Sequence, residues 1–137
     1  MTEAKLIEKI RRTLIDDATI KGYVQDRVYA SHISSVDSPK YPAISITLLP
    51  GSARENVPVM VDVNLQIDLW FPLKDFTSDD VLGCYGQIRT LLHGQNLWDA
   101  TIGVKVYRIV ESGIGPLMPD PFEPCNHLPA RYRAVAI

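Results

Sequence analysis

Cysteine is scarce in this chain. Its 137 residues hold two, Cys84 inside a helical pattern and Cys125 in a proline-rich stretch, whereas small secreted scaffolds that depend on disulfides carry more of them. Charge of one sign is equally lacking: 14 basic against 16 acidic residues leave a formal charge of -2, so no long-range field draws the chain onto phosphate backbones or anionic lipid. The short basic groups Lys9, Arg11, Arg12 and Arg131, Arg133 read as a solvated helix face and a polar strand face. No apolar run approaches the ~20 residues needed to span a bilayer, and no amino-terminal apolar run with a cleavage site is present. An intracellular, reducing setting without membrane contact is the expectation.

The compact signatures of catalysis are missing as well. There is no GxSxG elbow, no glycine-rich phosphate loop, no GxGxxG and no HExxH. Cys125 and His127 are two apart, with His32 and His93 elsewhere, but structural zinc sites show paired ligand runs and each pair here is incomplete. Asp62 and Asp68 stand roughly 20 Å apart at ~3.4 Å per residue if they share a strand, too far to work as acid and base on one bond. Cys84 has no histidine at i±3 or i±4 and reads as a small apolar packer. The chain is therefore expected to be no enzyme and to use no metal or cofactor. A small hydrolase using Asp62, Asp68 or His127 stays open as the alternative of a different class, on condition that a histidine and two carboxylates gather in one concave pocket.

What is present is ordinary globular material, 46% hydrophobic and 22% charged, enough for one core and too little for two. From Thr2 to about Asp17, Leu6, Ile7, Ile10, Leu14 and Ile15 recur at helical spacing. Gly22 closes that neighbourhood, and Arg27-Val28-Tyr29 suggests a short strand. In 41–49, Ile44, Ile46 and Leu48 alternate with Ala43, Ser45 and Thr47, a half-buried strand that Pro50-Gly51-Ser52 closes. The strongest signal follows: Val57, Val59, Val61, Val63, Leu65, Ile67, Leu69 and Phe71 fall on one parity, and Pro58, Met60, Asp62, Asn64, Gln66, Asp68 and Trp70 on the other. Only a long strand of period two sorts them so, and four polar residues in succession on one parity put that face against water or a partner.

Thr77 with Asp80 forms a capping-box pattern for a helix to about His93, which Gly94 ends. Leu97 and Trp98 bridge to a third strand, Ile102–Glu111, a long proline-rich loop spans 112–129, and a last strand runs from Arg131 to Ile137. The sum is a single α+β domain over residues 1–137. It has an antiparallel or mostly antiparallel sheet of about four strands with two main helices packed on one face. Met60 and Trp70 on the polar parity, and Trp98, Leu117, Met118 and Phe122 in loops, are candidate contact residues, since aromatic and methionine side chains outside a core are enriched at interfaces. Asp62, Asn64, Gln66 and Asp68 complete that candidate surface.

This layout resembles the tail terminator and tail-completion proteins of tailed bacteriophages, also called minor tail or head–tail joining proteins. The resemblance rests on the amino-terminal helix, on Tyr41-Pro42-Ala43-Ile44-Ser45-Ile46 followed by Leu49-Pro50-Gly51-Ser52-Ala53, on Ile67-Asp68-Leu69-Trp70-Phe71-Pro72, and on the helix 78–92. It spans residues 4 to about 110, and the proline-rich stretch after it has no counterpart. It implies a virion protein of the tail and head–tail junction, assembled in the host cytoplasm. Such a protein forms a homo-oligomeric ring, commonly of six subunits, that stops growth of the tail tube and offers a surface for head attachment. The implied partners are copies of itself, the tail tube protein and head connector or neck proteins. DNA would pass through the lumen without specific binding, eased by a mildly acidic surface at Asp62 and Asp68. A head-side neck or adaptor protein is the neighbouring alternative, and a monomeric protein-binding module a further one.

Overall fold

The computed structural model describes residues 2–54 and 57–137, with 50–54 and 57–59 described by backbone alone. Three α-helices, α1 (Thr2–Ile15), α2 (Ala18–Val24) and α3 (Ser78–Leu92), accompany a seven-stranded sheet, so the expectation of two helices and about four strands is corrected. The strands are β1 (Val28–Tyr29), β2 (Ala43–Arg54), β3 (Val57–Pro72), β4 (Gln95–Asp99), β5 (Val104–Ile114), β6 (Met118–Pro119) and β7 (Cys125–Ala136). Their order is β1-β2-β3-β7-β5-β4, with β6 added on β7, and the sheet is curled into a half-barrel. All pairs are antiparallel except β1 with β2.

Each departure from the sequence expectation has a local cause. The extra helix α2 starts because the Asp17 carboxylate accepts a hydrogen bond from the Ile20 amide at 3.0 Å, a side-chain cap that restarts the helix after α1. Gly22 lies inside it, where its cost of about 1 kcal/mol against alanine is tolerated. Strand β2 does not end at Pro50-Gly51. Between the pairs Leu49–Asn64 and Ser52–Asp62 it carries one more residue than β3, a bulge that absorbs the proline and glycine and lets pairing resume. The closure expected at Pro50-Gly51-Ser52 is therefore strand, which continues to Arg54, and residues 55 and 56 lie outside the described ones.

Strand β5 continues to Ile114 and β7 begins at Cys125, so the loop expected over 112–129 is a shorter connection, 115–124, that contains β6. Leu97 and Trp98, expected as a bridge, belong to the edge strand β4.

The main core lies between the helices and one sheet face. Val61, Val63, Leu65, Ile67, Leu69 and Phe71 from β3 meet Leu6, Ile10 and Leu14 from α1 and Val81, Tyr85, Ile88 and Leu92 from α3, all buried. The capping box is formed as the sequence requires, with Thr77 and Asp80 bonding each other's backbone amides, and Gly94 takes φ +75 at the end of the helix. On β2, Ile44 and Ile46 join the core but Leu48 is 40% exposed, beyond the reach of the helices.

Candidate functional site

The sheet face opposite the helices is where the polar parity of β3 emerges, and it is divided. Towards the middle of the sheet Asn64 is exposed and Asp62 and Gln66 are half-buried. Towards the Phe71 end, Asp68 is fully buried and Trp70 is 2% exposed, against the expectation that this parity would be wet throughout. The cause is a second layer. The segment around Ile33 folds over the sheet, and Trp70 packs with Ile33, Ala43 and Cys125, flanked by Tyr29 and Tyr41, while the connection 115–124 pairs beside β7 and is tied to this layer through Glu123 and Asp120.

Polar bonds fasten this cover. Asp120 accepts from the amides of Phe122 and Glu123 at 2.9 and 2.7 Å, a turn fixed by its own side chain. Tyr41 donates to Glu123 at 2.6 Å, and burial followed by that carboxylate raises the phenol well above its ordinary pKa. The Trp70 indole donates to Ser45 at 3.0 Å.

His127 is the hub. Its ring stacks on Trp70 at 4.0 Å between centroids with 3° between planes. Its Nε2 lies 2.6 Å from Asp68 Oδ1, which also accepts from Gln66 at 2.9 Å, and its Nδ1 lies 4.0 Å from Asp120. A histidine thus does stand between two carboxylates, the arrangement that would favour a hydrolase. Both ring nitrogens face carboxylates, Asp68 is sealed from solvent, and no serine, threonine or cysteine bonds the ring among the described residues. Cys125 is held as a thiol, because burial, then Glu123 and Asp120, push it up to about 11. Asp62 is six residues away on β3, bonded to Arg133. The cluster fastens a loop to a sheet.

The open part of this face is cationic, which sequence reading missed. Arg133 makes a two-pronged pair with Asp62, at 2.8 and 2.7 Å, diagonally across β3 and β7. The Asp62 carboxylate raises the Arg133 pKa by hydrogen bonding and by charge. Arg131 lies opposite Gln66 on β7. Arg108 joins them through an irregularity in β5: the pairing steps from Val106–Ala136 to Arg108–Val135, so Tyr107 is the extra residue and Arg108 changes face. By simple alternation Arg108 would share the core side with Val104 and Val106. The acidic surface expected from Asp62 and Asp68 is therefore corrected, since one carboxylate is paired with an arginine and the other is buried under the cover.

The remaining candidate contact residues are scattered. Trp98 is 61% exposed on the edge strand β4 and meets Tyr107 edge-to-face, with Lys105 Nζ 5.2 Å from the indole centroid. With Val104 and Ile137 they line an open, largely apolar hollow of about 460 Å³. Met118 and Phe122 are exposed on the connection, Phe122 almost completely, while Leu117 is half-buried against the main core and Met60 is half-buried on β3. The structure does not gather these side chains into one patch with Asp62, Asn64 and Gln66.

The chain shares its fold with a virion protein. A solved chain described as "Virion of native gene transfer agent (GTA) particle" superposes with a TM-score of 0.72 at 11% identity, over 98% of this chain and 96% of that one. At that identity the correspondence is one of fold, carried end to end. No protein-family model matches the sequence, and no curated protein sequence matches it.

Proposed function

We propose that this chain is a structural virion protein of the phage-tail type, working without catalysis as one α+β domain. Copies of it, six by analogy with the tail terminators it resembles, close into a ring that ends the tail tube and presents a surface for head attachment. The observation that carries this reading is the fold held in common, over nearly its whole length, with a chain of a gene-transfer-agent virion. The layout of the sheet supports it. β1 pairs with β2 only at Ile44 and Ser45, which leaves the rest of that margin open, and β4 is the open margin on the other side. Two unlike open margins suit head-to-tail association, in which each subunit offers different surfaces left and right and closure uses them up.

In this reading Met60, Trp98, Leu117, Met118 and Phe122, at their separate places on the surface, contact neighbouring copies, the tube protein or the head connector. Asp62, Asn64 and Gln66 belong to the polar sheet face, and Asp68 and Trp70 hold the cover in place. The location is the virion at the head–tail junction, after assembly in the host cytoplasm.

Native mass measurement and negative-stain imaging of the purified chain, with and without tail tubes, test this. A ring at one tube end is the expected result. Density on portal-bearing heads in place of tubes would assign the chain to the head side. A mass of 15.3 kDa in both conditions, with bare tube ends, would refute the ring and favour a monomeric binding module.

A further inference from the structure

Among the described residues, the open half of the polar sheet face carries three exposed arginines, Arg108, Arg131 and Arg133, against one partly exposed carboxylate, Asp62. Arg108 and Arg131 make no ion pair among the described residues. Asp68, which would offset them, is buried beneath the cover and bonded to His127. Asp120 and Glu123 lie at the covered end, engaged in the turn and by Tyr41. A chain of net charge -2 thus concentrates positive charge on one face.

We infer that this face, with Arg108 and Arg131 as its principal cations, is a track for the sugar–phosphate backbone of duplex DNA. The composition decides between polyanions. Protein interfaces draw their energy from buried aromatic and apolar anchors, and the most exposed large apolar side chains of this chain, Trp98, Met118 and Phe122, lie outside the arginine strip, with Ile114 alone at its margin among the described residues. The strip itself offers guanidinium, amide and hydroxyl donors, Arg131 beside Asn64, Gln66 and Ser112, around shallow open hollows whose apolar lining is aliphatic (Leu49, Val110, Ile114, Val135) and without an aromatic anchor. Protein–DNA interfaces are polar and positive in this way, and backbone contacts carry no sequence information. Arg131 and Arg133 stand two residues apart on β7, about 7 Å along a strand, and Arg108 is a diagonal step away across β5. A sheet face with this spacing touches phosphates without entering a groove. The inference rests on the ring reading, in which this face would line the path of DNA through the junction, and it adds a contact that the balanced overall charge argues against.

The test is fluorescence anisotropy of a labelled random-sequence duplex, titrated with the full chain at several salt concentrations. Three phosphate contacts give a slope of about -2.7 in log affinity against log salt, so affinity falls about 40-fold between about 50 and about 200 mM. In the double variant Arg108→Ala, Arg131→Ala the slope drops to about -0.9 and the same change in salt costs about 4-fold. Both side chains are exposed, and unchanged circular dichroism verifies the fold. Arg12→Ala on α1 serves as the control and leaves the slope as it is. Absence of salt-dependent binding by the unmodified chain, or equal slopes for it and the double variant, overturns the inference. So does displacement of the duplex by polyglutamate at equal charge concentration, which would make the partner an acidic protein surface. Rings that cap tubes yet ignore duplex would sink the track and spare the ring, whereas arginine-dependent duplex binding by a chain that never caps tubes would do the reverse.

Discussion

Asp62 and Asp68 share a strand and a parity, and the sequence treats them alike, but replacing each with asparagine should have very different effects. Asp68 is fully buried: its Oδ1 accepts from Gln66 and faces His127 Nε2, and its Oδ2 has no hydrogen-bond partner among the described residues. Asparagine keeps the accepting oxygen, removes the charge that strengthens both contacts, and places an amide donor where nothing accepts it. A buried unsatisfied donor costs about 1–3 kcal/mol, and weakening of charge-assisted bonds adds to that. Asp68→Asn should therefore destabilise by about 2–3 kcal/mol, about 6–12 °C in Tm for a chain of this length. Asp62 bonds an arginine whose side chain is 60% exposed, and an exposed pair contributes little, so Asp62→Asn should unfold with the wild type. Urea titration followed by tryptophan fluorescence reads both, because Trp70 lies stacked on His127 and reports the cover directly. Equal midpoints for the two variants would mean that the cover over Asp68 does not close, and the division of the sheet face would be wrong.

Other expectations follow from single positions. Ile67→Ala removes a fully buried side chain from the centre of β3 and should cost about 2–5 kcal/mol in the same titration. Thr77→Ala breaks the capping box of α3 and should cost about 1 kcal/mol, with thermal unfolding as the readout. Cys84 and Cys125 should resist Ellman's reagent at neutral pH until denaturant is added, since burial pushes their thiols up to about 12 and about 11. The same shifts fix the alkaline behaviour: the unfolded chain loses its thiol protons near the ordinary value of 9.0 while the folded chain keeps them. The contribution is thus whole below that pH and is lost as pH rises toward 12. The double variant Cys84→Ala, Cys125→Ala should lose stability less steeply over that range, and an equal slope would refute the assignment.

Much of the architecture was legible in local chemistry. The parity of β3 is set by eight apolar residues at every second position. The start of α3 is written in Thr77 and Asp80, and its end in Gly94, because caps are made by side chains a few residues from the backbone they serve. The second half of β7 was legible too, with Tyr132, Ala134 and Ala136 buried and Arg131 and Arg133 exposed, whereas its first half, from Cys125, falls in the stretch expected as a loop. Val28 and Tyr29 of β1 were also read as a short strand, but β4 and β6 were not. These two are five and two residues long, too short to show a period, and exist because a longer neighbour supplies bonding partners. Leu48 misled for a related reason, since alternation tells which face a residue takes but not how far along that face the helices extend.

The sequence by itself determined the long ribbon, its dry side and the helix that covers it, through contacts whose cause lies within a few residues. Tertiary structure decided what the other side of the ribbon is. Only the folded chain brings His127 and the segment around Ile33 against Asp68 and Trp70, and only the extra residue at Tyr107 turns Arg108 toward Arg131 and Arg133. Each of these sets a charge against neighbours distant along the chain. A sum of charges over the sequence therefore described an acidic protein, while the pairing of strands produced a cationic face.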